Sequence, residues 1–340
     1  MAHRASHRPA YDAMMHQGRL PLQPSKASPP PGRAAPVSGV ARSFKGELDE
    51  VLPLLPEFDR QPFATEAGAP NAFLDVIVRR EAALWPAVPV GVVSTRYSLL
   101  SHYDIADAVR TAVAAIGVHP REMQAEAHLT GYGARMALFV RLPRSYDFDP
   151  GDGHPLALRL LCLNSVDGSS TLRILLGWFR FVCANGLIVG TTRSEWRLVH
   201  RDGMDPAGVR EVLSRGLELA ERERVALKVW RTLAVPIERF VSFADDELAK
   251  AWGVKAAARF LHIATTGFDG ELTLPFELGP PHAKTILRTR RVPGCLGHST
   301  SVYDAAQILA WIAKDRRDQH ERVDRLLQIP ELMQMLLARR

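Results

Sequence analysis

Apolar residues recur along this chain with two different periods, and the change of period divides it into regions. Between residues 122 and 203 they mostly alternate with polar ones, which is typical of strands. After residue 205 they recur every three or four positions, which is typical of amphipathic helices. The pattern predicts an α+β core over 46–203, a mainly helical region over 204–340 that packs on it, and a disordered basic, proline-rich tail over 1–45.

The core is expected to contain an antiparallel meander. Its strands are predicted over 122–129, 134–142, 156–164 and 171–176. Gly131-Tyr132-Gly133 lies between the first two strands as a turn. Asp167-Gly168 suits a tight turn between the last two, because glycine adopts a positive φ without a Cβ clash. The expected fold class is therefore α+β, with an antiparallel sheet packed against long helices.

Helices are expected on both sides of the meander. One is predicted over 71–84, where an apolar stripe ends before Pro86. Ser101 and Asp104 predict a capped helix over 102–116. The later helices are predicted over 206–233, 242–253, 254–264, 300–313 and 320–337, the last interrupted at Pro330. Strands are predicted over 88–97, 272–278 and 284–292, and the period of 177–184 fits either a strand or a short helix.

Charge and cysteine content restrict the class of protein. The first 45 residues hold seven basic residues and one acidic residue, which accounts for the whole net charge of +6. No apolar run approaches the length of a membrane span, so no transmembrane helix is expected. The three cysteines are too few for a disulfide framework and favour a reducing cytoplasm.

The chain contains no complete catalytic set or metal-binding motif. Cys183 could act as a nucleophile with His200 or His298 as base, but its apolar neighbours favour an inert buried thiol. Cys295-Leu296-Gly297-His298 is half of a zinc knuckle without a second half. The loop over 147–153 resembles the start of a calcium loop but lacks the acidic twelfth residue. We expect no metal, no cofactor and, on balance, no enzymatic activity.

Arginine residues lie close to aromatic residues around the end of the meander. Basic and aromatic side chains together are what single-stranded nucleic acid requires, because cations neutralise phosphates and flat rings stack on bases. Solvated arginines beside core aromatics would give the same pattern. The candidate nucleic-acid-binding residues are Arg173, Arg180, Arg193, Trp196 and Arg197, with a second basic group at Arg288, Arg290 and Arg291.

Three motifs resemble a phage- and plasmid-associated protein family that is built on a conserved domain of unknown function. The first runs from Asn164 to Ser170, the second from Gly177 to Leu187, and the third from Arg290 to Asp304. The run over 89–97 fits the early strand of that family. The resemblance implies a mobile-element context. Its motif residues, expected to be structural, are Asn164, Asp167, Gly168, Phe179, Cys183, Asn185 and Gly186.

Three functions remain open on the sequence. The first is an accessory protein of mobile DNA that binds single-stranded DNA or RNA, because the order of helix, meander and long helix is similar to that of Rad52-like single-strand annealing proteins. The second is an interaction module, such as an inhibitor of a host system, with host or phage proteins as partners. The third is an enzyme with an unrecognised site. Homo-oligomerisation is left open, and the first function is preferred.

Overall fold

The computed structural model contains a central antiparallel sheet with helices packed against it. It describes residues 40–180, 187–188, 195–198, 206–272, 286–292, 295, 297–316 and 318–338. The strands are β1 (Val40–Glu47), β2 (Phe58–Ala64), β3 (Pro70–Arg79), β4 (Val88–Ser94), β5 (Gln124–Thr130), β6 (Arg135–Arg141), β7 (Leu156–Ser165), β8 (Leu172–Arg180), β9 (Leu187–Ile188), β10 (Glu195–Leu198), β11 (Phe268–Leu272) and β12 (Ile286–Arg291). The helices are α1 (Leu48–Val51), α2 (His102–Ala115), α3 (Pro206–Thr232), α4 (Ile237–Phe243), α5 (Ala249–Trp252), α6 (Val254–Thr266), α7 (Val302–Ala313) and α8 (Gln319–Ala338).

The predicted meander is confirmed as β5, β6, β7 and β8. The sheet has the order β1-β5-β6-β7-β8-β10, and β9 also pairs with β8. Leu138 lies opposite Cys162, which lies opposite Ile174, so buried apolar positions meet across three strands. Helix α3 packs against both α2 and β8. This arrangement confirms the α+β class. The ambiguous stretch after Gly177 is strand as far as Arg180, and residues 181–186 lie outside the described part.

A second sheet corrects the prediction of a helix over 71–84. Residues Pro70–Arg79 form β3, the middle strand of a three-stranded antiparallel sheet with the order β2-β3-β4. The apolar stripe that indicated a helix also fits an alternating pattern, with Ile77 buried and Val76 and Val78 only half-buried. The strand forms because β2 and β4 supply hydrogen-bond partners on both sides. The strand predicted over 88–97 is confirmed as β4.

The first strand corrects the predicted end of the tail. Residues 40–47 pair antiparallel with β5, and Phe44 lies opposite Ala127 while Lys45 lies opposite Glu126. The prediction placed the tail boundary at residue 45 because this segment has few apolar residues. Pairing with a strand about 80 positions later gives it structure that its own composition does not indicate. The tail before residue 40 lies outside the described part of the chain.

The helical predictions hold with two corrections. The helix predicted to begin at Ser242 begins at Ile237 and continues through a π-helical turn over Ala244–Leu248 into α5. Ser242 lies inside it and donates to the carbonyl of Arg239. Helix α8 continues through Pro330 instead of stopping there, because proline removes one hydrogen bond while the buried side of the helix packs on α7. Among the described helices, none is both long enough and apolar enough to cross a membrane.

Candidate functional sites

The family-motif residue Asn164 has a structural position. Its side chain is fully buried on β7, and Nδ2 donates to the carbonyl of Leu100 at 3.0 Å and to Nδ1 of His102 at 2.9 Å. Nε2 of His102 lies 2.8 Å from the carbonyl oxygen of Gly133. Because a carbonyl only accepts, Nε2 carries the proton and Nδ1 accepts. This network joins the start of α2 and the turn after β5 to the centre of the sheet.

The turn between β7 and β8 contains the next two motif residues. Oδ1 of Asp167 accepts a hydrogen bond from the Ser169 amide at 3.0 Å, and Gly168 has a φ of 76°. The turn lies against β4, since a Cβ placed on Gly91 would come within 2.8 Å of the Cα of Asp167. The turn therefore fastens the small sheet to the large one. Phe179 lies on β8 opposite Ala157. The motif residues Cys183, Asn185 and Gly186 lie outside the described part.

Arg173 corrects the predicted nucleic-acid face. A contact with nucleic acid would require this residue to lie on an exposed sheet face, but only 6% of it is exposed. Its Nη1 lies 2.5 Å from Oδ1 of Asp324, which projects from α8. An arginine that is buried by a helix and paired with a carboxylate is not available to track a phosphate backbone. Arg173 instead holds α8 onto the sheet.

A second ion pair lies at the same contact between helix and sheet. Arg135 on β6 pairs with Asp318, immediately before α8, at 2.7 Å. His320 on the first turn of α8 lies near both ion pairs, and burial, with repulsion from Arg135 and Arg173, lowers its pKa to about 4. Attraction from Asp318 and Asp324 opposes this shift without cancelling it. Two ion pairs therefore hold the start of α8 on the sheet, beside an imidazole whose lowered pKa favours its neutral form.

For the other candidates near the meander, the structure gives the position of the backbone. Arg197 on β10 lies opposite Arg173 on β8, and Trp196 lies opposite Ile174. Arg180 ends β8 opposite Leu156. Arg193 lies outside the described residues. The pairing of Arg197 with Arg173 places two guanidinium-bearing residues directly across from each other on the sheet.

The second predicted basic group lies on β12, where Arg290 and Arg291 are exposed. The guanidinium carbon of Arg290 lies 4.6 Å from the ring centroid of Trp311 on α7, and 59% of its side chain is exposed. Arg291 is also exposed, and Arg288 lies on the same strand. Beneath them, Asp269 accepts hydrogen bonds from Trp311 Nε1 at 2.7 Å and from both Nε and Nη2 of Arg259. This buried network positions Trp311 and thereby the arginine that covers it.

The cysteines that the structure describes are buried. Cys162 is completely buried, and burial raises its pKa far above its usual range. Cys295 is buried as well. In the loop that resembles a calcium site, Oδ1 of Asp149 accepts hydrogen bonds from the amides of Gly151 and Asp152, so the carboxylate stabilises the loop itself. Among the described residues, no group of three or more acidic, histidine or cysteine side chains could hold a metal ion.

A polar pocket was not predicted. It has a volume of about 340 Å³ and is lined by residues of the 147–154 loop, the end of α3 and the segment that leads into α7. The lining residues include Asp152, His154, Arg231, His298, Ser299 and Asp304. Sequence reasoning missed them because they come from three distant segments. The Ser301-Val302-Tyr303-Asp304 capping box before an apolar helix was the signal that could have placed one wall.

Comparison with known protein families gives a match for this chain. A family model described as a domain of unknown function (DUF932) matches residues 89–277, which is more than half of the sequence. The matched range includes α2, the whole meander and α3. It stops before β12, which carries the exposed Arg290 and Arg291, and before α7, which carries Trp311. No solved structure matches the chain.

Proposed function

The chain belongs to the DUF932 family of domains of unknown function, and from its surface we propose that it binds single-stranded nucleic acid as an accessory protein of a mobile genetic element. The family description assigns no activity. The mobile-element setting is supported by the motifs over 164–170, 177–187 and 290–304, which resemble those of a phage- and plasmid-associated family. The proposal places the nucleic-acid contact on β12, outside the matched range, and not on the face around Arg173.

The exposed arginines of β12 carry the proposal. Arg290 is held at one end by Trp311 and lies 3.9 Å from the buried carboxylate of Asp269, while most of its side chain faces solvent. A side chain that is already ordered loses less conformational freedom when it binds a phosphate. Arg291, the last residue of the same strand, is exposed as well. Two exposed cations at the end of one strand can contact neighbouring phosphates of one backbone.

The element order gives a second, weaker support. Helix α2, the meander β5–β8 and the long helix α3 follow one another in the order that Rad52-like annealing proteins share. The order is a fold-level analogy and indicates no particular residue. It favours single-stranded over double-stranded nucleic acid as the partner. Annealing or recombination is the process in which such a protein would act.

A binding titration tests the proposal. The full chain is titrated against a labelled single-stranded oligonucleotide at several salt concentrations, and the double variant Arg290→Glu/Arg291→Glu is compared with it. Each lost phosphate contact flattens the log–log salt dependence by about 0.7, so two lost contacts flatten it by about 1.4. The double variant Arg96→Glu/Arg121→Glu, which changes two exposed arginines elsewhere, has the same net charge and serves as the control.

The two double variants must differ for the proposal to stand. Equal loss of binding in both would mean that only net charge matters and that β12 is not the contact. A parent protein that shows no salt-dependent binding to single-stranded DNA or RNA at micromolar concentration would refute nucleic-acid binding. Melting temperatures of all variants establish that the comparison is made between folded proteins.

An interaction module is the second candidate, and one observation favours it. On the small sheet Phe73 is 77% exposed, and Phe63 and Val92 are largely exposed as well. Exposed apolar side chains on all three strands of one small sheet are a feature of protein contact surfaces. Light scattering of the parent and of Phe73→Asp would show whether this surface joins two copies of the chain. If the parent and the variant are both monomers and the parent binds nucleic acid, nucleic-acid binding remains as the supported function.

A further inference from the structure

The polar pocket between the 147–154 loop, the end of α3 and the start of α7 has a rigid wall. The Val235 amide donates to the carbonyl of Thr300 at 2.7 Å, and the Ser299 amide donates to the carbonyl of Ala264 at 2.7 Å. The His298 amide donates to Thr265 at 3.1 Å. These bonds fix the wall on both sides, to the end of α3 and to α6. The pocket is therefore formed before any ligand binds.

Backbone geometry at the rim fixes the direction of one imidazole. Gly297 has a φ of 80°, and a Cβ there would come within 3.0 Å of the Thr266 backbone. His298 has a φ of 49°, a conformation that is uncommon for residues other than glycine. Its imidazole is exposed and lines the pocket. Unfavourable backbone conformations persist where the surrounding structure enforces them, and they occur often at binding sites.

The lining of the pocket combines one arginine and two histidines with two carboxylates, Asp152 and Asp304. Oδ2 of Asp304 accepts from the amides of Thr300 and Ser301 at the start of α7, so its charge is largely compensated. Oδ1 of Asp152 accepts from the His154 amide. Among the residues that the structure describes, no carboxylate lies within ion-pair distance of the exposed Arg231 guanidinium. Arg231, His154 and His298 line this pocket from three segments and supply side-chain donors, with the carboxylate of Asp152 beside them.

We propose that this pocket binds a phosphate group. An arginine fork, imidazole N–H groups and the hydroxyl of Ser299 are the donors that phosphate oxygens accept from most strongly. The volume of about 340 Å³ accommodates a phosphate with part of a nucleotide. The phosphate comes either from a free nucleotide or from the end of a nucleic-acid strand, and the recognising chemistry is the same.

The end of a strand is the source that the structure favours, and this step rests on the proposed function. Strand β12 ends at Arg291, and the Val292 amide donates to Gly267 at 2.9 Å. Gly297, in the pocket wall, lies next to the same turn, because its Cβ position is 3.3 Å from the Gly267 nitrogen. A strand that lies along the arginines of β12 thus has the pocket near one end. Arg231 would hold its terminal phosphate.

The test compares three oligonucleotides of one sequence: one without a terminal phosphate, one with a 5′ phosphate and one with a 3′ phosphate. The full chain should bind one phosphorylated strand about tenfold more tightly than the unphosphorylated one, which corresponds to one charge-assisted contact. Arg231→Gln should remove that preference while it leaves the salt dependence from β12 in place. Arg222→Gln, an exposed arginine on the same helix, is the matched control and should keep the preference.

Separate arms distinguish the sources and the failures. Competition by a mononucleotide at micromolar concentration, without any preference for a phosphorylated strand, would assign the pocket to free nucleotides and overturn the strand-end source. Equal, salt-dependent binding of all strands, with no response of His154 or His298 signals in NMR spectra to inorganic phosphate, would overturn the phosphate pocket and leave the proposed function standing. Absence of all strand binding would refute the proposed function, and the NMR response to inorganic phosphate would then decide the pocket alone. His298→Asn, which tolerates the positive φ, should weaken that response in the folded protein.

Discussion

Protonation of His320 should loosen the contact between α8 and the sheet. Burial among Arg135, Asp318, Arg173 and Asp324 lowers its pKa from the ordinary 6.5 to about 4. The unfolded chain therefore takes up a proton on His320 at a higher pH than the folded protein does. The stability that this histidine contributes is complete above pH 6.5, falls as the pH drops towards 4, and changes no further below that.

The size of the effect follows from the two pKa values. Between neutral pH and about pH 5, the difference in proton uptake lowers the free energy of unfolding by about 2 kcal/mol through His320 alone. His320→Gln removes the titrating group and keeps a polar side chain of similar reach. The variant can be less stable than the parent at neutral pH, because the prediction concerns the pH dependence and not the starting value.

The assay is urea unfolding of parent and variant at a series of pH values between about 4 and 8. The parent should lose about 2 kcal/mol more than the variant on going from neutral pH to about pH 5. Carboxylates with lowered pKa, such as Asp269, titrate in both proteins and cancel in the comparison. Parallel pH profiles for the two proteins would refute the reasoning. So would a His320 imidazole that titrates near pH 6.5 in NMR spectra of the native protein.

Three further predictions concern the core and the first strand. Asn164→Ala should lower the free energy of unfolding in urea by about 2–4 kcal/mol, because it leaves buried acceptors on Leu100 and His102 without a donor. A loss as small as that of the exposed control Gln124→Ala would contradict this. Cys162 should resist thiol reagents in the native protein, because burial raises its pKa, and rapid labelling mapped to this residue by mass spectrometry would be the opposite result. A chain that starts at residue 48 lacks β1 and should melt several degrees below one that starts at residue 40; equal melting temperatures would show that β1 adds no stability.

Local signals predicted the elements that depend on few partners. Helix α2 begins at Ser101, whose side chain accepts from the Asp104 amide as the sequence indicates, and residue 117 has the positive φ expected of a glycine that ends a helix. The meander was predicted because its turns are short and each strand pairs with the next. In both cases the information lies within about fifteen residues of the element.

Elements and sites that depend on distant partners were not predicted. The stripe in Pro70–Arg79 fits a helix and a strand equally, and only pairing with β2 and β4 decides between them. Arg173 looked like a surface residue because its partner, Asp324, lies 151 positions away. The polar pocket combines His154, Arg231 and His298, whose separations in the chain no motif spans. Sequence periodicity contains no information about such encounters.

The contact between Gly91 and the turn at Asp167 limits how this chain can vary. A methyl group at position 91 would come within 2.8 Å of the Asp167 backbone, so a larger residue requires the turn to move. Position 91 and the turn after β7 should therefore accept change only together, although 76 positions separate them. A mutant library that varies position 91 alone should return glycine. A library that also varies the length of the turn should return other small residues at position 91. Substitutions at position 91 and in the turn should therefore occur together.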